Sequence, residues 1–472
     1  MKSYKILTFI ILIIIALGFI SAFYPKNGIK IRDKKLYFPS FENLAKRNIG
    51  NLDIELSTID SVALQAMVEL QDTMVVYQQI ITQSEGRFFF PDDDDTFFDT
   101  FFAMVGRAKK NGQIIRLLHY GDSQIEMDRI SENVRSWFQG IFGGGGPGML
   151  PLEQTIPKTS VSQYVTGDLT DYSIYGTGSR IKNRQYGIMA RFYRISETTT
   201  MHITASKNSK VDERVKRFSQ ITLLYKDING NFSATLRDKV HHYEHKQVSD
   251  TTGIQKMVWT LDSATTKISL TLTGNADIYG ITVDHGYGIA LDNIPIRGSS
   301  GTFFSSIEDS TLHIMYNLLD VGMIILQFGG NSVPGCNPKS IASYTNKIAS
   351  QIHYFKRISP KAKILFIGPS DMSTRVEGTL QTYPYLPDLV EALKETVTAN
   401  GAAFWDIYTV MGGYNSMLTW VNKGWAANDY IHFSASGAGK IGDALANTFQ
   451  IMYNYYLFRQ EIEMHQQNIL NN

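Results

Sequence analysis

The fold is decided by the sequence IIRLLHYGDS at residues 114–123, where a mostly apolar run ends in Gly121-Asp122-Ser123. The apolar part predicts a buried strand, and Ile130, Val134 and Ile141 lie at the spacing of an amphipathic helix after it. A serine between a strand and a helix is placed at the carboxyl edge of a sheet, where sites of α/β proteins form. Ser123 is therefore the first candidate for a functional residue.

Three later apolar runs predict further strands of the same sheet: 321–328, 364–368 and 402–407. Helical patterns at residues 386–399 and 438–456 accompany them. Short buried strands that alternate with helices are typical of a parallel sheet covered on both faces. We therefore predict an α/β domain built from residues 98–155 and 286–460.

The segment between the two parts of that domain has a different composition. Residues 156–285 are rich in Thr, Ser, Tyr and Val, with alternating patterns at 220–225 and 267–273. The tetrapeptide Asp227-Ile228-Asn229-Gly230 is a turn signal, and helical periodicity is weak. We predict an all-β sandwich that is inserted between the first and second strands of the α/β domain.

The N-terminus has the pattern of a hydrophobic leader. Lys2 and Lys5 precede twenty uncharged residues, 6–25, in which Ile, Leu and Phe predominate. A cleaved signal peptide and an uncleaved membrane anchor both fit residues 1–25, and a buried helix fits less well. Because basic flanks stay on the cytoplasmic side, the rest of the chain is expected outside the cytoplasm. Residues 26–97 are predicted to be helical, with no role assigned.

Composition excludes several classes of function. The 472 residues are enough for two or three domains, and 45 basic against 44 acidic residues give a net charge of +1, so no nucleic-acid partner is expected. Cys336 is the single cysteine, which excludes an intrachain disulfide and a multi-cysteine metal site. His241, Tyr243 and His245 would share one face of a strand without forming a tetrahedral ligand set. We predict neither a metal nor an organic cofactor.

A base and an orienting carboxylate are supplied by Asp429-Tyr430-Ile431-His432, more than 300 residues after Ser123. A serine hydroxyl needs an adjacent base, and His432 can take its proton while Asp429 fixes the imidazole tautomer. Asp284-His285 is a competing pair, but it lies where the β segment ends. The order Ser, Asp, His predicts a serine hydrolase.

Two glycine-containing segments lie between the nucleophile and the base. Gly301 belongs to the first, and the second ends in Gly329-Gly330-Asn331. The backbone N–H of Gly301, the Asn331 amide and the N–H of Ser123 are the kind of donors that an oxyanion hole requires. Gly298 is a rival of Gly301, because the first segment contains two glycines.

Ser123, Gly301, Asn331 and His432 stand in four separate blocks, and in this respect the chain resembles the SGNH hydrolases, also called GDSL esterases. By this resemblance, Ser123 is the nucleophile, and its N–H binds the oxyanion together with Gly301 and Asn331. One departure is visible, since many members have Asp directly after the asparagine and this chain has Ser332. The departure affects the expected loop geometry rather than the chemistry.

Within that superfamily, the chain is most similar to bacterial peptidoglycan O-acetylesterases. The likeness rests on the leader, on the glycine-rich segment 143–148 and on the inserted β-sandwich, which in those enzymes resembles a carbohydrate-binding module. It implies an esterase that removes acetyl groups from a cell-envelope polysaccharide, with peptidoglycan as the expected polymer. A polysaccharide O-acetyltransferase with the same triad and an inactive glycan-binding envelope protein are the alternatives.

Overall fold

The computed structural model describes residues 29–31, 34–36, 73–208, 210–238 and 242–470. The chain divides into two compact units, residues 1–73 and 74–472. In the first unit, β1 (Ile29–Ile31) and β2 (Lys34–Leu36) form an antiparallel pair, so the prediction of a helical region over 26–97 is wrong for these residues. The predicted leader lies outside the described residues. Among those that are described, no helix is long and apolar enough to cross a membrane.

The second unit begins with helical residues 74–83 and continues into elements that surround the first long strand. These elements are β3 (Phe88–Phe89), α1 (Asp99–Ala108), β4 (Ile114–Gly121), α2 (Ser131–Phe142) and β5 (Gly148–Leu150). A 3-10 helix, Ser123–Asp128, lies between β4 and α2. The segment from Ile114 to Phe142 therefore forms the predicted strand, turn and helix.

The middle of the chain consists of strands that pair antiparallel with one another. They are β6 (Val161–Thr166), β7 (Thr170–Ser173), β8 (Arg191–Ile195), β9 (Thr198–Ala205), β10 (Phe218–Arg237), β11 (His242–Ser249), β12 (Gln255–Thr265) and β13 (Lys267–Asp284). Together with β5 they form a nine-stranded sheet whose long strands β10 and β13 pair along most of their length. The alternating patterns at 220–225 and 267–273 lie within β10 and β13.

The last part of the chain returns to alternating strands and helices. Its elements are β14 (Gly288–Pro295), α3 (Asp309–Leu318), β15 (Val321–Gln327), α4 (Pro338–Ile358), β16 (Lys363–Ile367), β17 (Ser373–Val376), β18 (Thr379–Thr382), α5 (Leu386–Ala399), β19 (Ala403–Trp405), α6 (Ile407–Met411), α7 (Ser416–Asn422) and α8 (Ala435–Leu470). All the strands and helices predicted for this part are present.

A second sheet has six strands in the order β14-β4-β15-β16-β19-β3. The first five are parallel, and only β3 runs antiparallel to its neighbour. The register places Gly121 beside Pro295 and Gln327. The segments that follow β4, β14 and β15 therefore leave the sheet at the same edge.

Alternate residues of the parallel strands point into two hydrophobic cores. Leu117 and Ile325 belong to the core that contains side chains of α1, α2 and α8, whereas Leu118 and Ile324 belong to the core with α3, α4 and α5. All four side chains are essentially inaccessible to solvent. Burial of the sheet on both faces is the reason that these strands are continuous apolar runs in the sequence. The predicted α/β fold with helices around a parallel sheet is confirmed.

The predicted division into a hydrolase domain and an inserted β-sandwich stays a prediction, because residues 74–472 form one compact unit. The buried Arg116 guanidinium of β4 contacts Asp284 of β13, in the other sheet, at 2.5 Å and Asp292 of the neighbouring strand β14 at 2.6 Å. Removal of one partner of such a pair would leave an uncompensated buried charge, which typically costs about 3–5 kcal/mol. These contacts therefore oppose separation of β13 from β4 and β14.

A buried histidine in β4 is held in a chain of neutral hydrogen bonds. His119 Nε2 lies 3.0 Å from Gln327 Oε1, and His119 Nδ1 lies 2.8 Å from Ser131 Oγ. Gln327 Oε1 can only accept, so Nε2 carries the ring proton and the Ser131 hydroxyl donates to Nδ1 while its oxygen accepts Nδ2–H of Asn293 at 2.9 Å. Burial lowers the pKa of His119 to about 4. The imidazole therefore stays neutral over most of the acidic range.

We expect His119→Gln to reduce the loss of stability in mild acid. The unfolded chain takes up a proton at His119 below about pH 6.5, but the folded chain does so only near pH 4. The contribution of His119 to stability is therefore present above about pH 6.5 and is lost as the pH falls through this window. Melting temperatures across the window measure the effect, with the exposed His353→Gln as control. Identical pH dependence in wild type and His119→Gln would contradict it.

Candidate active site

Ser123 is placed by the sharp turn at the end of β4. Asp122 caps the following 3-10 helix, and its Oδ1 accepts the N–H of Gln124 at 2.9 Å. This turn directs the Ser123 hydroxyl toward His432, and Ser123 Oγ lies 2.8 Å from His432 Nε2. The structure therefore brings together two residues that are 309 positions apart.

His432 and Asp429 lie on the loop between α7 and α8. Asp429 Oδ1 accepts the backbone N–H groups of Ile431 and His432, at 2.9 and 3.0 Å, while Oδ2 lies 2.7 Å from His432 Nδ1. Burial raises the pKa of Asp429, but these hydrogen bonds outweigh it and hold the pKa below its usual value. The ionised carboxylate accepts the Nδ1 proton, which leaves His432 Nε2 free to accept from Ser123.

The base and its carboxylate are open to solvent. The side chain of His432 is 38% exposed and that of Asp429 is 46% exposed. Because the hydroxyl and imidazole meet at an open sheet edge, a bulky ester could approach them without a deep cavity. The site has the geometry of a serine hydrolase.

Asn331 follows β15 and lies beside the nucleophile turn. Its Nδ2 donates to Asp122 Oδ2 at 2.9 Å and to the Ser299 carbonyl at 3.0 Å. The Asp122 carboxylate therefore fixes which end of the Asn331 amide faces the turn that carries Ser123. Burial raises the pKa of Asp122 to about 6, although hydrogen bonds from Gln124 and Asn331 act in the opposite direction.

The two candidate glycines differ in their surroundings. Gly301 is buried at φ 74°, and a Cβ there would lie 2.5 Å from the ring of Phe328. Its N–H donates to Ser299 Oγ at 3.0 Å, so this donor is engaged within its own loop. Gly298 is exposed, at φ 72°. The assignment of Gly301 to an oxyanion hole stays a prediction.

Sequence patterns did not point to several residues around this edge. The Arg297 guanidinium forms two hydrogen bonds with the Glu126 carboxylate, at 2.6 and 2.7 Å. The Tyr175 hydroxyl donates to the Gly298 carbonyl at 2.7 Å, and its side chain is 40% exposed. Tyr175 belongs to the segment after β7, so a residue of the β region contacts the loop that follows β14. No local motif marks either contact.

The competing candidates have other partners. Asp284 is buried against Arg116, and His285 Nδ1 lies 3.2 Å from Ser219 Oγ. His241 is outside the described residues, and His245 Nδ1 lies 2.9 Å from Thr235 Oγ1. Over the described part of the chain, no group of three His, Cys, Asp or Glu side chains is arranged to hold a metal ion.

The glycine-rich segment 143–148 has a packing role. A Cβ on Gly146 would lie 2.2 Å from the Val283 carbonyl oxygen, and the φ of Gly146 is 81°. A side chain cannot be accommodated at such a close approach of two backbones. The glycines therefore let the chain pass between the ends of the two sheets.

Comparison with solved structures identifies a protein of the same architecture. A peptidoglycan O-acetylesterase aligns with a TM-score of 0.61 and 21% identity over 76% of this chain and 96% of its own. The chain has an SGNH-type fold. The resemblance inferred from the four blocks is thereby confirmed at the level of the fold.

Two carbohydrate esterases align over a smaller part of the SGNH-type chain. The family 2 enzyme from Clostridium thermocellum has 10% identity, a TM-score of 0.27 and coverage of 56% of this chain and 95% of its own. The one from Corynascus thermopiles (Myceliophthora fergusii) has 12% identity, a TM-score of 0.26 and coverage of 60% and 99%. No family model and no curated sequence matches the chain.

Proposed function

We propose that this protein is a serine esterase that removes O-acetyl groups from a cell-envelope polysaccharide, specifically peptidoglycan. The observation that carries the proposal is the continuous hydrogen-bonded series from Ser123 Oγ through His432 to Asp429. The SGNH-type fold that the chain shares with a peptidoglycan O-acetylesterase supports the choice of substrate class.

Acylation begins when Ser123 Oγ attacks the acetyl carbonyl and His432 Nε2 takes the hydroxyl proton. Asp429 stabilises the imidazolium that forms, because its carboxylate lies 2.7 Å from Nδ1. The imidazolium then gives its proton to the departing sugar oxygen, which leaves an acetyl ester on Ser123. A water molecule, deprotonated by His432, attacks this ester and releases acetate.

The tetrahedral intermediates carry a negative charge that needs hydrogen-bond donors. We assign this role to the N–H of Ser123, the Asn331 amide and the N–H of Gly301. The Asn331 Nδ2 protons contact Asp122 and the Ser299 carbonyl, so one of them must be shared with the oxyanion. Gly301 N–H must likewise turn away from Ser299 Oγ.

The substrate assignment is tested by acetate release from O-acetylated peptidoglycan and from acetylated xylan, with the full chain as enzyme. Release from peptidoglycan alone supports the proposal, and release from xylan alone contradicts it. Addition of an unacetylated acceptor glycan distinguishes an esterase from a transferase. A transferase would form acetylated acceptor in place of acetate.

An exported location is part of the proposal, because peptidoglycan lies outside the cytoplasm. It rests on the leader at residues 1–25 and on Lys2 and Lys5 before the apolar segment. We expect the catalytic unit of a chain expressed in a bacterial host to be digested by protease added to spheroplasts. Full protection from protease would contradict this location.

Tyr175 is expected to contact the sugar of a polymeric substrate. The loop from Arg297 to Ser299 separates it from the nucleophile turn, because Arg297 contacts Glu126 and the Ser299 carbonyl contacts Asn331. Loss of an aromatic contact is worth about 0.5–1.5 kcal/mol. We therefore expect Tyr175→Ala to lower kcat/KM for peptidoglycan about 3- to 10-fold and to leave p-nitrophenyl acetate hydrolysis unchanged.

The matched control is Tyr164→Ala, which removes an exposed tyrosine of β6, elsewhere in the β region. Tyr164 is 58% exposed and stacks on His202 with ring centroids 4.4 Å apart. Two results would contradict a local sugar contact of Tyr175. One is an equal loss of kcat/KM for peptidoglycan in both variants, and the other is a Tyr175→Ala variant that loses as much activity on p-nitrophenyl acetate as on peptidoglycan.

A further inference from the structure

Gln124 joins the nucleophile turn to the loop that carries the base. It directly follows Ser123, and its Nε2 donates to the Ile431 carbonyl at 2.7 Å. Its Oε1 accepts the N–H of Phe433 at 3.2 Å. Ile431 and Phe433 flank His432, so one buried amide binds the backbone on both sides of the base.

Arg129 makes a second connection between the same two segments. Its Nη2 donates to the Ser123 carbonyl at 2.7 Å, and its Nη1 donates to the Phe433 carbonyl at 3.0 Å. The Nε donates to the Glu126 carbonyl at 2.9 Å, which keeps the guanidinium against the 3-10 helix. The planar guanidinium therefore connects the backbone of the nucleophile with that of the residue after the base.

From these contacts we propose that Gln124 and Arg129 are positioning residues that set the distance between Ser123 Oγ and His432 Nε2. This inference rests on the proposed roles of Ser123 and His432. We call the two side chains the Gln124–Arg129 clamp. Neither of them contacts the reacting atoms, and both act through backbone groups of the two segments.

The two catalytic side chains of the base loop are open to solvent, although Phe433 beside them is buried in the core. His432 and Asp429 are exposed, and their hydrogen bonds to each other fix the loop internally but do not attach it to Ser123. Apart from the Ser123–His432 contact itself, the hydrogen bonds from Gln124 and Arg129 supply that attachment. A misplacement of about 1 Å between reacting groups can cost about 100-fold in rate.

The test uses Gln124→Met in the full chain, since methionine keeps the length and volume of the side chain. The change removes both hydrogen bonds to the base loop, together with a longer one from Nε2 to Ser370 Oγ at 3.4 Å. Titration with a serine-directed phosphonate counts the competent sites, and p-nitrophenyl acetate gives kcat per site. We expect an unchanged number of sites, a 10- to 100-fold lower kcat per site, and KM within about twofold. The rate of phosphonate labelling should fall in parallel with kcat.

Gln351→Met is the matched control. Gln351 is also a buried glutamine that accepts one backbone N–H, from Ser305 at 2.8 Å, and donates from Nε2 to Ser305 Oγ at 3.0 Å. It connects α4 with the segment after β14 and has no contact with the base loop. We expect its kcat per site to equal that of wild type.

Arg129→Lys provides a second, independent variant. Lysine keeps the charge but cannot reach the carbonyls of Ser123, Glu126 and Phe433 together, so kcat per site should again fall with KM unchanged. An unchanged kcat per site in both Gln124→Met and Arg129→Lys, or an equal loss in Gln351→Met, overturns the clamp. Failure of the wild type to react with phosphonate would instead contradict the proposed function.

Discussion

Ser123→Ala is expected to lower the rate of acetate release by at least about 10⁴-fold while the melting temperature changes little. Removal of the nucleophile of a triad eliminates the covalent route, and only oxyanion binding and substrate placement remain. The Ser123 side chain contributes one hydrogen bond, to His432, so its loss removes little packing. Acetate release from O-acetylated peptidoglycan, per mole of folded protein, is the measurement.

Ser434→Ala is a suitable control for this change. Ser434 lies on the same loop as the base, and its hydroxyl donates to the Gly424 carbonyl at 2.8 Å and accepts the N–H of Gly437 at 3.2 Å. We expect it to retain most of the activity. Activity of Ser123→Ala within tenfold of the wild type would show that another residue attacks the ester.

Asn331→Ala is expected to lower kcat about 10²- to 10³-fold, with a much smaller effect on KM. The reason is that an oxyanion donor acts mainly in the transition state, where the carbonyl oxygen becomes negatively charged. The loss also leaves Asp122 Oδ2 without the amide that it contacts at 2.9 Å. Steady-state kinetics with p-nitrophenyl acetate separate kcat from KM.

Ser332→Ala is the control for the Asn331 loop. Ser332 is partly buried and stands where many SGNH hydrolases carry aspartate. We expect its kcat to remain within a few-fold of wild type. An increase in KM alone for Asn331→Ala would assign Asn331 to ground-state binding rather than to the oxyanion.

The parallel sheet could be predicted because its strands are buried on both faces. A short, continuous apolar run such as 321–328 is typical of a strand that is covered on both sides, and the observed strand is Val321–Gln327. The helix predicted at 386–399 coincides with Leu386–Ala399, because its apolar residues recur at helical spacing before Asn400-Gly401. The local apolar pattern is sufficient to predict a helix or strand whose residues keep one periodicity from end to end.

The length of the last helix could not be predicted in this way. The pattern ends near residue 456, but the helix continues to Leu470. Part of the reason is distant in sequence: the ring of Tyr77 lies 5.9 Å from that of Tyr455 and 5.6 Å from that of Phe458. These contacts support the helix just past the end of its own apolar pattern, as far as Phe458.

The candidate triad could be predicted from the sequence, but the residues that hold its two segments together could not. Ser123, Asp429 and His432 are residue types that form catalytic triads, and their order along the chain matches that of a serine hydrolase. Gln124 and Arg129 belong to no such pattern, since a polar residue after a serine is typical of an ordinary turn and an arginine is typical of a solvated surface. Their roles follow from contacts across more than 300 residues, for which the sequence has no local signal.

The most direct test of the mechanism is to locate the acetyl group on the enzyme. The full chain is mixed with excess p-nitrophenyl acetate, quenched in acid and digested, and the acetylated peptide is identified by mass spectrometry. We predict acetylation of Ser123 in the wild type at a rate no lower than turnover, and none in the Ser123→Ala variant. An acetyl group found on another residue, formed and lost at the rate of turnover and still present in Ser123→Ala, would contradict the proposed mechanism.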